Sequence, residues 1–225
     1  MKYSISAVIS PEAAAKLVFS NDIDLTDGWT FEQSSKVIDA ILQLRIDDIL
    51  RMIDEKEDVF LDTNEIPQFG SVESIENVPF VLSGTGIQYL SYAQLGYYLK
   101  KDVNAKLVAN VKFGENHGKG ASLIGIAQCK DGQFACSALS LGFCKITDPS
   151  IRREIIVRLF LRIPIVQMIL RHAFLGQYNG YSPMDNFTES TKKRRSQCLR
   201  KIFSSLRSLQ NQALDYRINN IYWEL

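Results

Sequence analysis

The fold is decided by one stretch of the sequence, Gln128-Cys129-Lys130-Asp131-Gly132-Gln133-Phe134-Ala135-Cys136. Its centre is an Asp-Gly pair, and this dipeptide between two short runs of mixed polarity is the strongest local signal for a β-hairpin. The sequence therefore predicts a hairpin over residues 128–136 and a short closing segment at 139–142.

Three helical patterns precede this hairpin. Residues 90–99, 104–113 and 115–127 place apolar side chains at helical spacing, and Gly114 separates the second pattern from the third. Three helices followed by a hairpin is the order of a winged helix-turn-helix, in which the third helix enters the major groove of DNA and the hairpin forms the wing. We therefore expect a winged-helix unit over residues 85–147.

The residues before this unit form an acidic segment that ends near the glycines of residues 83–86. We expect a strand at residues 3–9, a short capped helix at 11–18 and a long helix at 31–56. The apolar stripe of the long helix should pack in the core or across a two-fold dimer. Residues 59–84 contain two prolines and two glycines, and we expect loops with one or two short strands there.

A second helical unit follows the hairpin. Its helical patterns cover residues 151–161, 163–175, 191–209 and the tail after residue 210. The expected organisation is an acidic segment at 1–84, a winged-helix unit at 85–147 and a second winged-helix-like unit at 148–225. The expected fold class is mainly α with small β-hairpins (α+β), built as tandem winged-helix-like units behind the acidic segment.

The charge of the chain is divided unevenly. The 225 residues carry a net charge of +1. Residues 1–84 hold 6 Lys or Arg and 16 Asp or Glu, which gives −10, whereas residues 85–225 hold 20 and 9, which gives +11. Such asymmetry is typical of an acidic segment in front of a basic module that binds anions, although two solvated faces can also differ by chance.

Composition excludes several classes of protein. Apolar residues make up 46% and charged residues 23% of the chain, as in globular domains, and no apolar run is long enough to cross a membrane. No secretory signal is recognised at the N-terminus, so we expect a cytoplasmic protein with reduced cysteines. A zinc site of His117, Cys129, Cys136 and Cys144 can be drawn, but its spacing is unlike that of structural zinc sites, and we expect no metal and no cofactor.

The densest basic run is residues 191–201, which hold six positive charges and no acidic residue. The run lies at the start of a predicted helix, where the helix dipole favours anions and disfavours cations. An arrangement that opposes the dipole indicates an external anion, and DNA phosphate fits this role best. The alternative is a solvated basic face.

Residues 113–122 open the predicted recognition helix. They offer donors for base edges or phosphate, and Gly118 and Gly120 would let the backbone approach the duplex closely. This stretch is not a phosphate loop, because Lys119 is followed by glycine rather than by Ser or Thr. The residues that we expect to contact DNA are Asn116, His117, Lys119, Ser122, Lys130, Thr191, Lys192, Lys193, Arg194, Arg195 and Gln197.

Catalytic groups are scarce in this sequence. The chain has two histidines and no nucleophile elbow, so we assign no catalytic residue. Asp54-Glu55-Lys56 has the acid-x-Lys form of a metal-nuclease half-site, with Asp47 or Asp48 as its partner, but a solvated helix end explains these residues better. His172 lies beside Arg171 in an apolar helix and is expected to be partly buried and hydrogen bonded.

Several short motifs resemble the winged-helix modules of bacterial restriction and phage-defence proteins. They are Leu95-Gly96-Tyr97-Tyr98-Leu99, Phe113-Gly114-Glu115-Asn116-His117-Gly118-Lys119 and Leu139-Ser140-Leu141-Gly142. Ser190-Thr191, Arg194-Arg195, Leu199 and Ile202 resemble a helix that follows such modules, although Phe203 and Leu206 stand where that helix usually carries tryptophans. The resemblance covers residues 87–209 and implies DNA binding in a restriction or defence system.

Four functions remain open from the sequence. The first is a non-catalytic protein that binds a specific sequence of double-stranded DNA, alone or as a homodimer. The second is the recognition part of a restriction endonuclease whose cleavage comes from a nuclease partner subunit or another region. The third is an endonuclease with its own metal site around Asp47, Asp48 and Asp54. The fourth is an adaptor whose basic face binds an acidic protein partner.

Overall fold

The computed structural model describes residues 10–26, 28–100 and 107–225, without the side chains of 107–109. Within these residues, helices predominate and the strands are short, so the predicted class, mainly α with small β elements, is confirmed. The helices are α1 (Pro11–Ser20), α2 (Phe31–Gln43), α3 (Ile46–Asp54), α4 (Val72–Gly84), α5 (Tyr92–Lys100), α6 (Leu107–Leu123), α7 (Ala138–Phe143), α8 (Pro149–Leu159), α9 (Pro164–Phe174), α10 (Glu189–Leu206) and α11 (Gln212–Asn219). The strands are β1 (Leu90–Ser91), β2 (Gln128–Lys130), β3 (Gln133–Ala135), β4 (Tyr178–Asn179) and β5 (Ile221–Tyr222).

The hairpin predicted from the Asp-Gly pair is present. Strands β2 and β3 pair antiparallel, and the turn residues Asp131 and Gly132 have φ angles of 51° and 75°. Strand β1 adds to the other edge of β3, with Leu90 opposite Phe134, so the sheet order is β1-β3-β2. Both of these side chains are fully buried, and they fix the hairpin to the core.

The long helix expected at residues 31–56 is two helices, α2 and α3. The chain leaves the helical conformation at Leu44, whose ψ angle is 127°. Arg158 stabilises this break, because its Nη1 donates to the carbonyl oxygens of Ile41 at 3.3 Å and Leu44 at 2.8 Å. Periodicity alone did not indicate the break, since the apolar stripe continues across it. Ile41 and Ile49 are fully buried, as the stripe predicts.

Residues 59–84, expected to form loops and strands, contain helix α4. The hydroxyl of Ser71 caps the helix by accepting from the amide of Ser74 at 3.3 Å. Pro79 lies inside the helix, where it removes one backbone hydrogen bond. The buried face of Ile75, Val78 and Leu82 packs toward α5 and α6, and this burial outweighs the proline.

The helices predicted at 104–113 and 115–127 are one helix, α6, in the residues that the structure describes. Gly114 does not end the helix, because it is a packing position. A methyl group on Gly114 would overlap the carbonyl oxygen of Tyr92, and one on Gly96 would overlap that of Asn110. The backbones of α5 and α6 therefore touch directly. The start of the helix predicted at 104–113 lies outside the described residues, as does the strand predicted at 3–9.

Residues 148–225 form the helices expected there, but without a wing. The carboxylate of Asp148 caps α8, and Pro164 opens α9, as predicted. The one strand pair in this part, which is described throughout, is β4 with β5, and it is parallel. This part of the chain therefore has no antiparallel hairpin, because the C-terminal tail returns to pair with the segment after α9, and the expected tandem winged-helix-like arrangement is not confirmed. Trp223 fixes this tail by packing against Gly180.

One hydrophobic cluster runs through the molecule, from Ala14 to Ile218. Arg162, only 8% exposed, crosses this cluster and positions α6. Its Nε donates to the carbonyl oxygen of Val18 at 3.1 Å and its Nη1 to that of Leu123 at 2.5 Å, so it joins the C-terminal ends of α1 and α6. Burial lowers the pKa of Arg162 to about 10. No helix in the described parts of the chain is long and apolar enough to span a membrane.

Candidate nucleic-acid interface

Helix α6 has a glycine face turned inward and a polar face turned outward. A methyl group on Gly118 would overlap the ring of Phe134, and one on Gly120 would come within 2.9 Å of Phe69. The two glycines thus serve packing, not the approach of DNA that the sequence suggested. The residues left on the outer face are Lys112, Glu115, Asn116 and Lys119, at helical spacing.

Glu115 links the two lysines of this face. Its carboxylate accepts from Lys112 Nζ at 2.7 Å and from Lys119 Nζ at 2.9 Å. These hydrogen bonds hold the pKa of Glu115 below its usual value. Burial acts to lower the pKa of Lys119, but the hydrogen bond and charge of Glu115 outweigh it, so this pKa is raised. Lys119 Nζ also donates to Asn64 Oδ1 at 3.1 Å.

A polar cleft of about 150 Å³ brings together the two stretches that the sequence singled out. Asn116 and Lys119 of α6 line one side, and Arg194 and Arg195 of α10 line the other. The segment before α4 completes the lining of the cleft with Thr63, Asn64, Ile66, Pro67 and Gln68. Amide and cationic groups that converge in this way are suited to hydrogen-bond phosphate oxygens and base edges.

The basic residues of α10 differ in their partners. Lys192 Nζ lies 2.7 Å from Asp185 Oδ1, and Lys193 Nζ lies 2.7 Å from Glu189 Oε1. Of the four adjacent cations at residues 192–195, two are therefore paired with acids that precede them in the sequence. The side chain of Arg194 is exposed and makes no hydrogen bond or ion pair with any residue that the structure describes.

Arg195 lines the cleft and is anchored to the segment before α4. Its Nη1 donates to the carbonyl oxygen of Ile66 at 2.7 Å, and its Nε is buried without a hydrogen-bond partner among the described residues. Burial lowers the pKa of Arg195, and the neighbouring charge of Arg194 lowers it further. Arg194 and Arg195 thus place two adjacent positive charges beside the cleft.

The other predicted contact residues lie around the cleft. Ser122 shares a neighbouring hollow with Lys119 and Cys129 of the hairpin. Lys130 on β2 and Gln197 on α10 are exposed and have no partner within the described residues. Thr191 takes part in the N-terminal cap of α10, since its amide donates to Thr188 Oγ1 at 3.4 Å.

His117 lies outside this surface, because it is only 3% exposed. Its Nδ1 is 2.8 Å from the carbonyl oxygen of Phe113, and its Nε2 accepts from the amide of Gly70 at 3.4 Å. Burial lowers its pKa and so favours the neutral ring, and both ring nitrogens have hydrogen-bond partners. The expected contact of His117 with DNA is therefore replaced by a role in holding residue 70 against α6.

Sequence reasoning missed part of the cleft. Lys112 lies four residues before Asn116 on the same helix face, so helical spacing could have identified it. Asn64 and Gln68 had no such signal, because residues 63–68 reach the cleft only through the tertiary fold. Another tertiary contact fixes the end of this loop: Lys201 Nζ on α10 donates to the carbonyl oxygen of Gly70 at 2.7 Å.

The carboxylates considered as a metal-nuclease site are bound to basic and amide groups. Asp54 accepts from Arg217 at 2.6 and 2.8 Å, Asp47 accepts from Asn211 at 3.0 Å, and Asp48 pairs with Arg51. Within the described ranges, no group of three or more His, Cys, Asp or Glu residues is placed to hold a metal ion. These contacts give Asp47, Asp48 and Asp54 structural roles.

His172 belongs to a separate surface contact. Its Nε2 lies 2.9 Å from Asp58 Oδ2, and its ring stacks on Tyr178. Its side chain is partly buried and hydrogen bonded, as the sequence predicted.

Comparison with known proteins gives no relative on which to base a function. The chain matches none of the protein-family models, curated proteins or solved structures with which it was compared.

Proposed function

We propose that this protein binds a specific sequence of double-stranded DNA through the polar cleft and the adjoining hairpin. The observation that carries this proposal is the meeting of Asn116 and Lys119 with Arg194 and Arg195 in one cleft. The sequence indicated each pair separately, one for base contacts and one for phosphate contacts. Their convergence supports a shared ligand that offers both kinds of group, as a DNA duplex does.

The order of elements around the cleft supports a winged-helix unit. Helices α4, α5 and α6 precede the hairpin of β2 and β3, and β1 completes its sheet. The sequence predicted three helices between residues 90 and 127, whereas the described part of this range holds two, α5 and α6, so the third helix of the proposed unit is α4, where the sequence predicted loops and strands. In this proposal α6 is the recognition helix, and the hairpin with Lys130 is the wing.

The two sides of the cleft have different tasks in this proposal. Asn116, whose amide has a donor and an acceptor, reads a base edge in the major groove. Arg194 and Arg195 bind the phosphate backbone and set the register of the protein on the duplex. Membership of a restriction or phage-defence system stays a prediction from the resemblance, both for a non-catalytic protein and for the recognition part of a nuclease.

The test is a binding titration on a pool of random duplexes, at low and at physiological salt, with and without Mg²⁺. We expect a complex whose affinity falls steeply with salt, and a preferred sequence after rounds of selection from the pool. Arg194→Glu should weaken the complex, whereas Lys36→Glu, an exposed charge reversal on α2, should change it little. Absence of a complex at low salt would exclude the proposed function, and cleavage with Mg²⁺ would show an intrinsic nuclease.

A further inference from the structure

A second cavity lies on the other side of the segment that walls the cleft. Its volume is about 440 Å³, within the range of small-molecule sites. It is enclosed by the end of α1, the residues after α3 and one face of α9. We propose that this cavity binds a small organic cation, with an ammonium group attached to an apolar body.

The wall of the cavity accounts for the apolar body. Ile53, Val59, Pro164 and Met168 line it with carbon atoms. Val59 is 53% exposed although it borders this space, so a ligand would cover apolar surface that the protein itself leaves in water.

The basic groups at the cavity are already occupied. Lys56 Nζ donates to the carbonyl oxygens of Phe19 at 3.2 Å and Ser20 at 3.0 Å, and to Gln167 Oε1 at 2.7 Å. An ammonium group has three hydrogens, so none remains for a ligand anion. Burial also lowers the pKa of Lys56 to about 8, which weakens this charge in mildly alkaline solution.

The other basic group, Arg171, is also paired. Its guanidinium donates to the carbonyl oxygen of Lys56 and to the carboxylate of Asp58. An incoming carboxylate or phosphate meets a guanidinium whose positive charge Asp58 already balances. The cavity therefore offers little to an anion.

The acidic side chains at the cavity can accept further hydrogen bonds. Asp22, Glu57 and Glu65 line the cavity. The side chains of Asp22 and Glu57 accept no hydrogen bond from any described residue, and Glu65 accepts one, from the amide of Asp62 at 2.9 Å. An ionised carboxylate can accept several hydrogen bonds, so each of the three can accept from an ammonium group that enters the cavity, and the charge of Asp22 also acts on Lys56. The apolar wall can cover the apolar body of a ligand, and the carboxylates can accept hydrogen bonds from its ammonium group. The cavity therefore favours an amphipathic cation.

The probes for the test are 2-phenylethylammonium, the neutral 2-phenylethanol and the anion 3-phenylpropionate, which share one apolar body. Binding to the full chain is followed by chemical-shift changes of the Met168 methyl group and by calorimetry. We expect the ammonium compound to bind at least about tenfold more tightly than the other two, a difference of about 1.4 kcal/mol. Equal binding of the three probes, or no binding of the ammonium compound, would overturn the proposal.

Variants locate the site and keep the result apart from DNA binding. Asp22→Asn and Glu57→Gln should each weaken the ammonium probe several-fold, and Met168→Trp should abolish its binding by filling the space. Asp39→Asn, an exposed acid on α2, is the matched control and should have no effect. If Asp22→Asn and Glu57→Gln leave probe affinity unchanged, the assigned carboxylates are wrong. DNA binding of these variants without probe should stay at the level of the natural chain, so failure of either proposal can be recognised separately.

Discussion

Helices α6 and α10 both contribute polar side chains to the cleft, but they are held in place by opposite means. Three glycines of α6, at positions 114, 118 and 120, bring its backbone directly against neighbouring groups. Helix α10 is held by large side chains such as Leu199 and Ile202, which are fully buried. A helix fixed through its backbone places a short side chain accurately, whereas long arginines can reach a phosphate from a helix fixed through side chains. This difference fits the proposed roles, in which α6 reads bases and α10 binds phosphate.

The largest expected effect comes from breaking the backbone contact of α6. Gly114→Ala inserts a methyl group into the carbonyl oxygen of Tyr92, so α5 and α6 must separate. We expect the free energy of unfolding to fall by about 3 kcal/mol, measured by urea denaturation. The control is Gly84→Ala, at the exposed end of α4 with nothing within 4 Å, which should stabilise the protein by up to about 1 kcal/mol. A gain in stability for Gly114→Ala would contradict the packing described here.

The second prediction concerns Asn116, the short side chain that α6 directs into the cleft. Asn116→Ala should cost about 1–3 kcal/mol of binding free energy on the preferred DNA sequence, because one base edge loses its hydrogen bonds. The loss on random duplexes should be smaller, since phosphate contacts remain. Affinity is measured by fluorescence anisotropy on both duplexes at one salt concentration. An equal loss on both would show that Asn116 does not read a base.

The third prediction separates the cations of α10 from one another. Arg194→Ala should reduce affinity about tenfold on every duplex and lower the slope of log affinity against log salt by about 0.9, because one phosphate contact is lost. Lys193→Ala should have less effect, since this lysine is already paired with Glu189 at 2.7 Å. A salt titration of both variants checks this order. Equal slopes for the two would indicate that the ion pair opens when DNA binds.

Much of the fold could be predicted because local signals fixed it. The Asp131-Gly132 turn, the Asp148 cap and Pro164 at the start of α9 act within a few residues, and each is found where the sequence placed it. The errors came where tertiary contacts override local preference. From the sequence alone, Gly114 predicts the end of a helix, but in the structure it is the position where α6 packs against α5. Pro79 predicts a loop, but burial of the apolar face of α4 keeps it within a helix.

The sequence predicted which types of side chain line the candidate site, but not all of the residues that border it. Charge density and donor type indicated Lys119 and Arg194, and the structure places both beside one cleft. The sequence could not show which side chains are buried. His117 points inward and contacts Phe113 and Gly70, so it does not face the cleft. Residues 63–68 entered the cleft with no local signal, because their position depends on contacts with α6 and α10.

The smallest expected effect concerns the acid within the α6 face. Glu115 pairs with both Lys112 and Lys119 and offsets one of their two positive charges. At pH 7 its carboxylate is charged, because the hydrogen bonds from both lysines hold its pKa below the usual value of 4.5. Glu115→Gln should therefore raise affinity for random duplexes by roughly two- to fivefold and steepen the dependence on salt, an effect below about 1 kcal/mol, as is typical of exposed ion pairs.

The control for this change is Glu32→Gln, which releases Lys36 on α2 by the same chemical substitution outside the cleft. It should leave DNA affinity unchanged. Affinity for the preferred sequence should rise less than affinity for random duplexes, because the base contact of Asn116 already strengthens binding there, whereas the added positive charge attracts any phosphate backbone. Glu115→Gln would then reduce specificity while strengthening binding. A fall in affinity for random duplexes would mean that Glu115 positions Lys119 for DNA rather than restraining it, and that the two sides of the cleft share the task of phosphate binding.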